Sequence, residues 1–252
     1  MTSPDITSTA NPRVKAWLAL AKRSVRNEKQ LFLIEGQREV ARLQPHVRIT
    51  ETIWCEALAD GGAPRGATAV SQHVFERVSH REHPDGVAAV ASTPDMAIDQ
   101  LMPDQPALVL VADGLEKPGN IGAILRTCDA LGAAFIGSGL ATDLVNPNVI
   151  RAAQGSLFAV PTASVSRAEA REWCATNTNV FVTRPDDTIS VWDTEMADAT
   201  SIVIGAEASG VGTAWEGVGE GIAIPMSGTA DSFNASVTAA IVLAEARRQR
   251  SG

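Results

Sequence analysis

Two glycine-punctuated stretches near the end of the chain hold the residues best placed for chemistry. They are IVIGAEASGVG at residues 202–212 and IPMSGTADSFNASVTAAIVLAEARRQR at residues 224–250. Gly205, Gly210 and Gly212 permit backbone conformations closed to other residues and let the main chain come close to a ligand. Glu207 stands among them, a carboxylate on a bend rather than on a solvated helix face. In the second stretch Pro225 withdraws a donor after the short strand expected at residues 221–224, and Gly228 permits a sharp change of direction. Ser232 and Asn234 follow on a loop that leads into a long amphipathic helix, expected within residues 232–250. Strand, bend, strand, polar loop and helix can together wrap a small polar molecule. The same spacing also serves ordinary strand-to-helix turns of an α/β sheet, and on spacing alone both readings stand.

An arginine enters from further upstream. Ile121, Ile124, Leu125, Cys128 and Leu131 share one face of a helix expected over residues 120–131, which Gly132 closes. Arg126 points off that apolar stripe, on a helix that follows the strand ALVLVA at residues 107–112. Open α/β sheets bind ligands at the C-terminal ends of such strands, although a solvated surface arginine has the same signature. Further strands are expected at residues 133–136, 156–161, 180–183 and 201–204. A short helix is expected at 147–153, and Ser166 and Glu169 form a capping box that opens another. This alternation predicts an α/β fold with a mostly parallel sheet covered on both faces.

The first ninety or so residues make a smaller α/β unit. Asn11-Pro12 starts a helix with Val14, Trp17, Leu18 and Ala21 at helical spacing, and the apolar run 31–34 reads as a strand ended by Glu35-Gly36. A helix over 37–43 and strands near 48–54, 67–70 and 86–91 follow. Prolines and aspartates cluster between residues 93 and 106. The expected organisation is therefore a domain at 1–95, a linker at 96–106 and a second domain at 107–252.

Composition narrows the partners. The chain has 252 residues and a formal net charge of -8, yet residues 11–48 hold nine bases against three acids. A basic segment on an acidic body suits a polyanion gripped at one end, and Arg13, Lys15, Lys22, Arg23, Arg26 and Lys29 are its candidate contacts. A solvated helix face is the plainer alternative. The three cysteines, Cys55, Cys128 and Cys174, are far apart and form neither a disulfide framework nor a metal pair, so no metal is expected. The polar N-terminus lacks an apolar signal core and no run has membrane-helix length, which predicts a soluble cytoplasmic protein without a membrane partner.

Three segments, EKPGNIGAILRTCDALGA, IVIGAEASGVG and IPMSGTADSFNASVTAAIVLAEARRQR, resemble in order the motifs of the SpoU (TrmH-type) branch of the SPOUT superfamily, the knotted RNA ribose methyltransferases. The likeness spans roughly residues 107–250. NPRVKAWLALAKRSVRNEKQLFLIEG also resembles the small ribosomal-protein-like RNA-binding domain of many members. The resemblance implies a trefoil knot in the second domain, S-adenosylmethionine bent within it, and a homodimer. It implies contacts to the cofactor from Thr183, Gly205, Ile224, Met226 and Phe233, the last standing where leucine is usual. It assigns Asn120, Arg126, Glu207, Ser232 and Asn234 to catalysis. Arg126 would clamp a substrate phosphate or, assisted by it, help remove the ribose proton, while Asn120, Ser232 and Asn234 would position ribose and arginine.

The activity so implied is 2′-O-methylation of RNA, ribosomal 23S RNA in the first place and transfer RNA as the alternative. A catalytically silent RNA-binding protein of the same fold is a rival. A dinucleotide enzyme is a second, and the absence of GxGxxG after the first strand counts against it.

Overall fold

The computed structural model describes residues 4–206 and 210–251. It divides into two compact units, Met1–Pro94 with Val145–Ile150 and Asp95–Leu144 with Arg151–Gly252. In the first, α1 (Pro12–Ala19) begins where the Asn11 side chain accepts the Arg13 N–H and Pro12 occupies the first turn. There follow α2 (Arg23–Lys29), β1 (Leu31–Glu35), α3 (Gln37–Leu43), β2 (Ile49–Trp54), β3 (Thr68–Ala69), α4 (Gln72–Val78) and β4 (Val87–Ser92). The sheet order is β1-β4-β2-β3, with β4 antiparallel to both neighbours and β3 parallel to β2. Val14 and Trp17 from α1 and Val74, Phe75 and Val78 from α4 cover one sheet face, packing on Leu33, Ile53 and Val90.

One of the expected RNA contacts is part of this framework instead. Arg26 is only 1% exposed and its Nη1 donates to the carbonyls of Leu20 and Ala21, each at 2.8 Å. It ties α2 to the end of α1 by satisfying carbonyls that the helix leaves open, and a guanidinium so covered cannot meet a phosphate.

The second unit contains β5 (Leu108–Asp113), α5 (Pro118–Leu131), β6 (Ala134–Ser138), the latter part of α6 (Pro147–Ala153), α7 (Ser156–Ala159), β7 (Thr162–Val165), α8 (Arg167–Asn177), β8 (Asn179–Thr183), β9 (Thr200–Ile204), β10 (Glu220–Ile222) and α9 (Ala235–Gln249). Its sheet is six-stranded and parallel throughout, in the order β10-β8-β9-β5-β6-β7. β5, β6 and β9 are buried along their whole length and mostly apolar, with Asp113, Ser138, Thr200 and Ser201 as buried polar exceptions.

α5 starts at Pro118 and ends at Gly132, whose φ of 65° gives the left-handed cap expected of it. The capping box at Ser166 and Glu169 forms as expected. Two expectations differ. Residues 156–159, expected as part of a strand, are the short helix α7, and the strand begins only at Thr162. Gly155 turns left-handed at φ 98° and Ser156 Oγ donates to Asp129 at 2.7 Å, starting a helical turn that a short apolar run does not reveal. Residues 96–106 belong to the second unit rather than hanging between domains. Leu101 is 4% exposed in the core with Ala107 and Val109, and Ser164 N donates to Met96 O at 2.8 Å.

The end of the chain is tied down firmly. α9 packs along α5 and over β9 and β5. Gln249 Nε2 donates to Thr194 O at 2.8 Å and Gln249 Oε1 accepts from Met196 N at 2.6 Å. Arg250 donates to the carbonyls of Met196, Pro106 and Ala107 at 2.9, 2.7 and 3.0 Å, and also to Asp198 O. Buried Glu245 accepts from Arg248 Nε and Nη2 and from Gln249, at 2.8, 2.7 and 2.8 Å.

Candidate active site

Three neighbouring strands, β8, β9 and β10, release their chains at the same edge of the sheet. After β10 the backbone comes back from that edge to reach α9, which lies against α5. The return leaves an open cavity of about 610 Å³, its mouth included, at the C-terminal ends of those strands. Thr183, Arg184 and Pro185 line it after β8, Ile204, Gly205, Ala206 and Gly210 after β9, and Ile222, Ile224 and Met226 around β10. Ser232, Phe233, Ala235 and Thr238 close it from the return and the first turns of α9. All five expected cofactor contacts, Thr183, Gly205, Ile224, Met226 and Phe233, fall on this one surface. The sequence reading missed Arg184, Pro185, Ala206 and Thr238. Their position just beyond parallel strands, or on the helix facing them, is the signal that marks them.

The glycine at 205 has a different reason from the one its sequence suggests. A Cβ there would overlap the backbone of Gly210 and Val211, so the residue lets the loop after β9 fold flat on itself. Gly210 N donates to Ala206 O at 2.8 Å across that loop, with Gly210 left-handed at φ 60°. Glu207, the catalytic candidate between them, lies outside the described residues. The Thr183 hydroxyl donates to Val203 O at 3.0 Å, so it pins β8 to β9.

The polar candidates gather beside the cavity. Asn234 is the N-cap of α9, and its Oδ1 accepts from Ser236 N at 2.9 Å and Ser236 Oγ at 2.7 Å. That fixes the amide so that Nδ2 donates to Asn120 Oδ1 at 3.3 Å, joining residues 114 positions apart. Ser232 lines the cavity two residues earlier, and Phe233 between them is 40% exposed. Arg126 is exposed on α5, six residues past Asn120 and about 9 Å further along the helix axis.

Close packing holds α5 in place. A Cβ on Gly122 would lie 2.7 Å from Ala153 N and 2.8 Å from the Ala152 carbonyl carbon. Burial pushes the Cys174 thiol up to about 11 and the Cys128 thiol higher still, so these cysteines are inert core residues.

On the first unit Lys15, Lys22 and Arg23 are exposed. Lys29 is exposed and pairs with Glu28 at 2.8 Å, a contact that solvent makes weak. Arg13 is held by Glu51, which also accepts from Trp17 Nε1 at 2.8 Å, and its guanidinium stands 5.6 Å from the centre of the Trp17 ring. Among the described residues, no group of three or more His, Cys, Asp or Glu side chains could hold a metal ion, and no helix is long and apolar enough to cross a membrane.

S-adenosylmethionine has a flat aromatic base, a ribose and a charged amino-acid tail. Ile222, Ile224, Met226 and Phe233 offer apolar wall to the base. Arg184 supplies one charged group on the wall. The residues present therefore fit this cofactor.

Comparison with known proteins agrees with that geometry. The SpoU rRNA Methylase family matches residues 107–244, and the MRM3-like substrate binding domain matches residues 11–89. A 23S rRNA (uridine(2479)-2′-O)-methyltransferase of Streptomyces viridochromogenes is 30% identical over 263 residues, covering 96% of this chain and 92% of its own length. A crystal structure of an RNA 2′-O ribose methyltransferase superposes with a TM-score of 0.84 at 38% identity, over 98% of this chain and 99% of the other. The SpoU methyltransferase AviRb from Streptomyces viridochromogenes, in complex with AdoMet, gives a TM-score of 0.86 at 29% identity, over 96% of this chain and 98% of that one. The chain belongs to the SpoU rRNA methylase family.

Proposed function

We propose that the protein transfers a methyl group from S-adenosylmethionine to a ribose 2′-hydroxyl of 23S ribosomal RNA. The observation that carries this reading is the meeting of Asn120 and Asn234 at 3.3 Å beside a cavity built from the ends of three parallel strands. When bound, S-adenosylmethionine supplies a methyl already activated by its sulfonium. What the chain must add is alignment of the ribose and removal of a proton. Asn234, fixed by its cap bonds, and Asn120 hold the ribose edge, with Ser232 beside them. Arg126 clamps the adjoining phosphate and stabilises the alkoxide as it develops. A guanidinium stays protonated in water, so any part it takes in accepting the proton depends on that phosphate. Glu207, outside the described residues, has the role of orienting either its loop or Asn120.

The return after β10 is taken to thread the trefoil knot of this family, and a second copy of the chain completes the site in a homodimer. Lys15, Lys22, Arg23 and Lys29, with Arg13 in part, hold the RNA through its phosphates. The similarity of the whole chain to a 23S rRNA 2′-O-methyltransferase supports the choice of substrate. Mapping of ribose methylation in total RNA from wild-type and deletion cells tests it. The expected result is one 23S position that loses its methyl. A missing methyl in transfer RNA instead would move the substrate assignment, and an unchanged map would leave the protein an RNA binder.

A further inference from the structure

The cavity wall carries one charge that neither the motifs nor the proposed roles use. Among the described lining residues Arg184 is the single charged one; the other polar side chains are Thr183, Ser232 and Thr238. The Thr183 hydroxyl is committed to Val203 O. Arg184 itself is anchored, because its backbone N–H donates to Ile222 O at 2.9 Å and so holds the residue between the ends of β8 and β10. Its side chain is 35% exposed, and Nη1 stands 4.0 Å from Asp187 Oδ2, too far for a hydrogen bond. Asp187 is seated too: a Cβ at Gly221 would overlap its carboxylate, so the bare backbone of β10 makes room for it. The wall thus presents an oriented guanidinium, flanked but not saturated by its carboxylate neighbour.

Three groups on S-adenosylmethionine carry charge at neutral pH, and just one of them, the α-carboxylate, is negative. We infer that Arg184 recognises the cofactor by its α-carboxylate, setting the amino-acid tail against the β8–β10 side of the cavity. This rests on the cofactor reading above and extends it. A planar fork of donors matches a carboxylate, and partial exclusion of water strengthens the pair beyond its value on an open surface. Asp187, 4.0 Å away, acts on the fork by charge and not by a hydrogen bond, which leaves the donors open to the tail.

Titration calorimetry of the full chain with S-adenosylmethionine and with its decarboxylated analogue tests the assignment, using wild type, Arg184→Gln and Arg184→Lys. Unchanged thermal unfolding of the variants shows that the fold is kept. Wild type should prefer the carboxylate-bearing compound by about ten- to hundredfold. Arg184→Gln should lose that preference by weakening S-adenosylmethionine alone, leaving the decarboxylated analogue as it was, and Arg184→Lys should recover part of it. Equal weakening of both compounds overturns the assignment, as does no change in either. A defect confined to the KM for RNA, with calorimetry unaltered, overturns it in favour of a phosphate contact. Failure of wild type to bind either compound overturns the cofactor reading itself and this assignment with it.

Discussion

Single residues here owe their identity to different constraints, and Gly205 and Arg126 separate cleanly. Because the Cβ of any other residue at 205 would strike the Gly210–Val211 backbone, Gly205→Ala must open the loop after β9. The expected outcome is loss of S-adenosylmethionine binding together with about 1–3 kcal/mol of stability, read by calorimetry and thermal unfolding. Lost binding at full stability would mean instead that the glycine serves the ligand directly. Arg126 is exposed, so Arg126→Ala should leave stability and cofactor affinity unchanged while kcat falls about a hundredfold or more. Arg126→Lys keeps the charge and loses the fork, so partial activity marks a phosphate clamp and very little activity an assisted base; single-turnover methylation near the wild-type rate in Arg126→Ala would remove Arg126 from the chemistry. Thr183, Gly205, Ile224, Met226 and Phe233, named through the family resemblance, gather on one cavity wall because they stand where parallel strands end and where the chain returns to α9. The sequence could not show Arg184, since an arginine beyond a strand looks like any surface arginine until the chain returns across it. It misread Arg26 for the converse reason: charge is written in sequence but exposure is not, and only the fold turns that guanidinium onto the carbonyls of Leu20 and Ala21.

Among the elements, α5 and α9 bear the site between them. α5 was legible at its end, where Gly132 closes a clear apolar face, and within two residues at its start, which lies at Pro118 rather than 120, whereas α7 hid inside a run that suits a strand equally well. α9 depends on its far end. Deleting residues 249–252 removes the bonds of Gln249 and Arg250 to residues 106–107 and 194–198, and should cost about 3 kcal/mol or more by denaturant unfolding. Cofactor binding should weaken in parallel, because Ser232, Phe233, Ala235 and Thr238 ride on that helix and the turn before it. Wild-type stability in the truncated chain would show that the latch is idle.

The same helix end gives a pH dependence with a definite sign. Hydrogen bonds from Arg248 and Gln249, then the charge of Arg248, outweigh burial and hold the Glu245 carboxyl down at about 2. A carboxyl lowered on folding stabilises the protein fully above its unfolded value of about 4.3, and that stability fades as pH falls from there through about 2. Glu245→Gln should thus cost about 1 kcal/mol at pH 7, modest because Arg248 is 70% exposed, and almost nothing near pH 2. An equal loss at both pH values would assign the effect to packing.

At the scale of the whole molecule, charge and chemistry are divided between the two units. Replacing Lys15, Lys22 and Arg23 together by alanine should weaken RNA binding and lower the slope of log affinity against log salt by about 2, with cofactor affinity untouched. Arg26→Ala should instead loosen the first unit, visible as earlier unfolding and hydrogen exchange in α1 and α2, because it strands two carbonyls. An undiminished salt slope in the triple variant would place the RNA elsewhere. The fold class, the order of strands and helices and the break near residue 95 were largely legible; the character of residues 96–106 was not, since their prolines and aspartates resemble a tether while Leu101 is packed in a core. The way the cavity is closed has a further consequence. Its closing wall comes from residues 232–238 and is fastened through Gln249 and Arg250 to Thr194 and Met196. A ligand seated against that wall is thereby coupled to the latch, so filling the cavity raises the temperature at which α9 comes away.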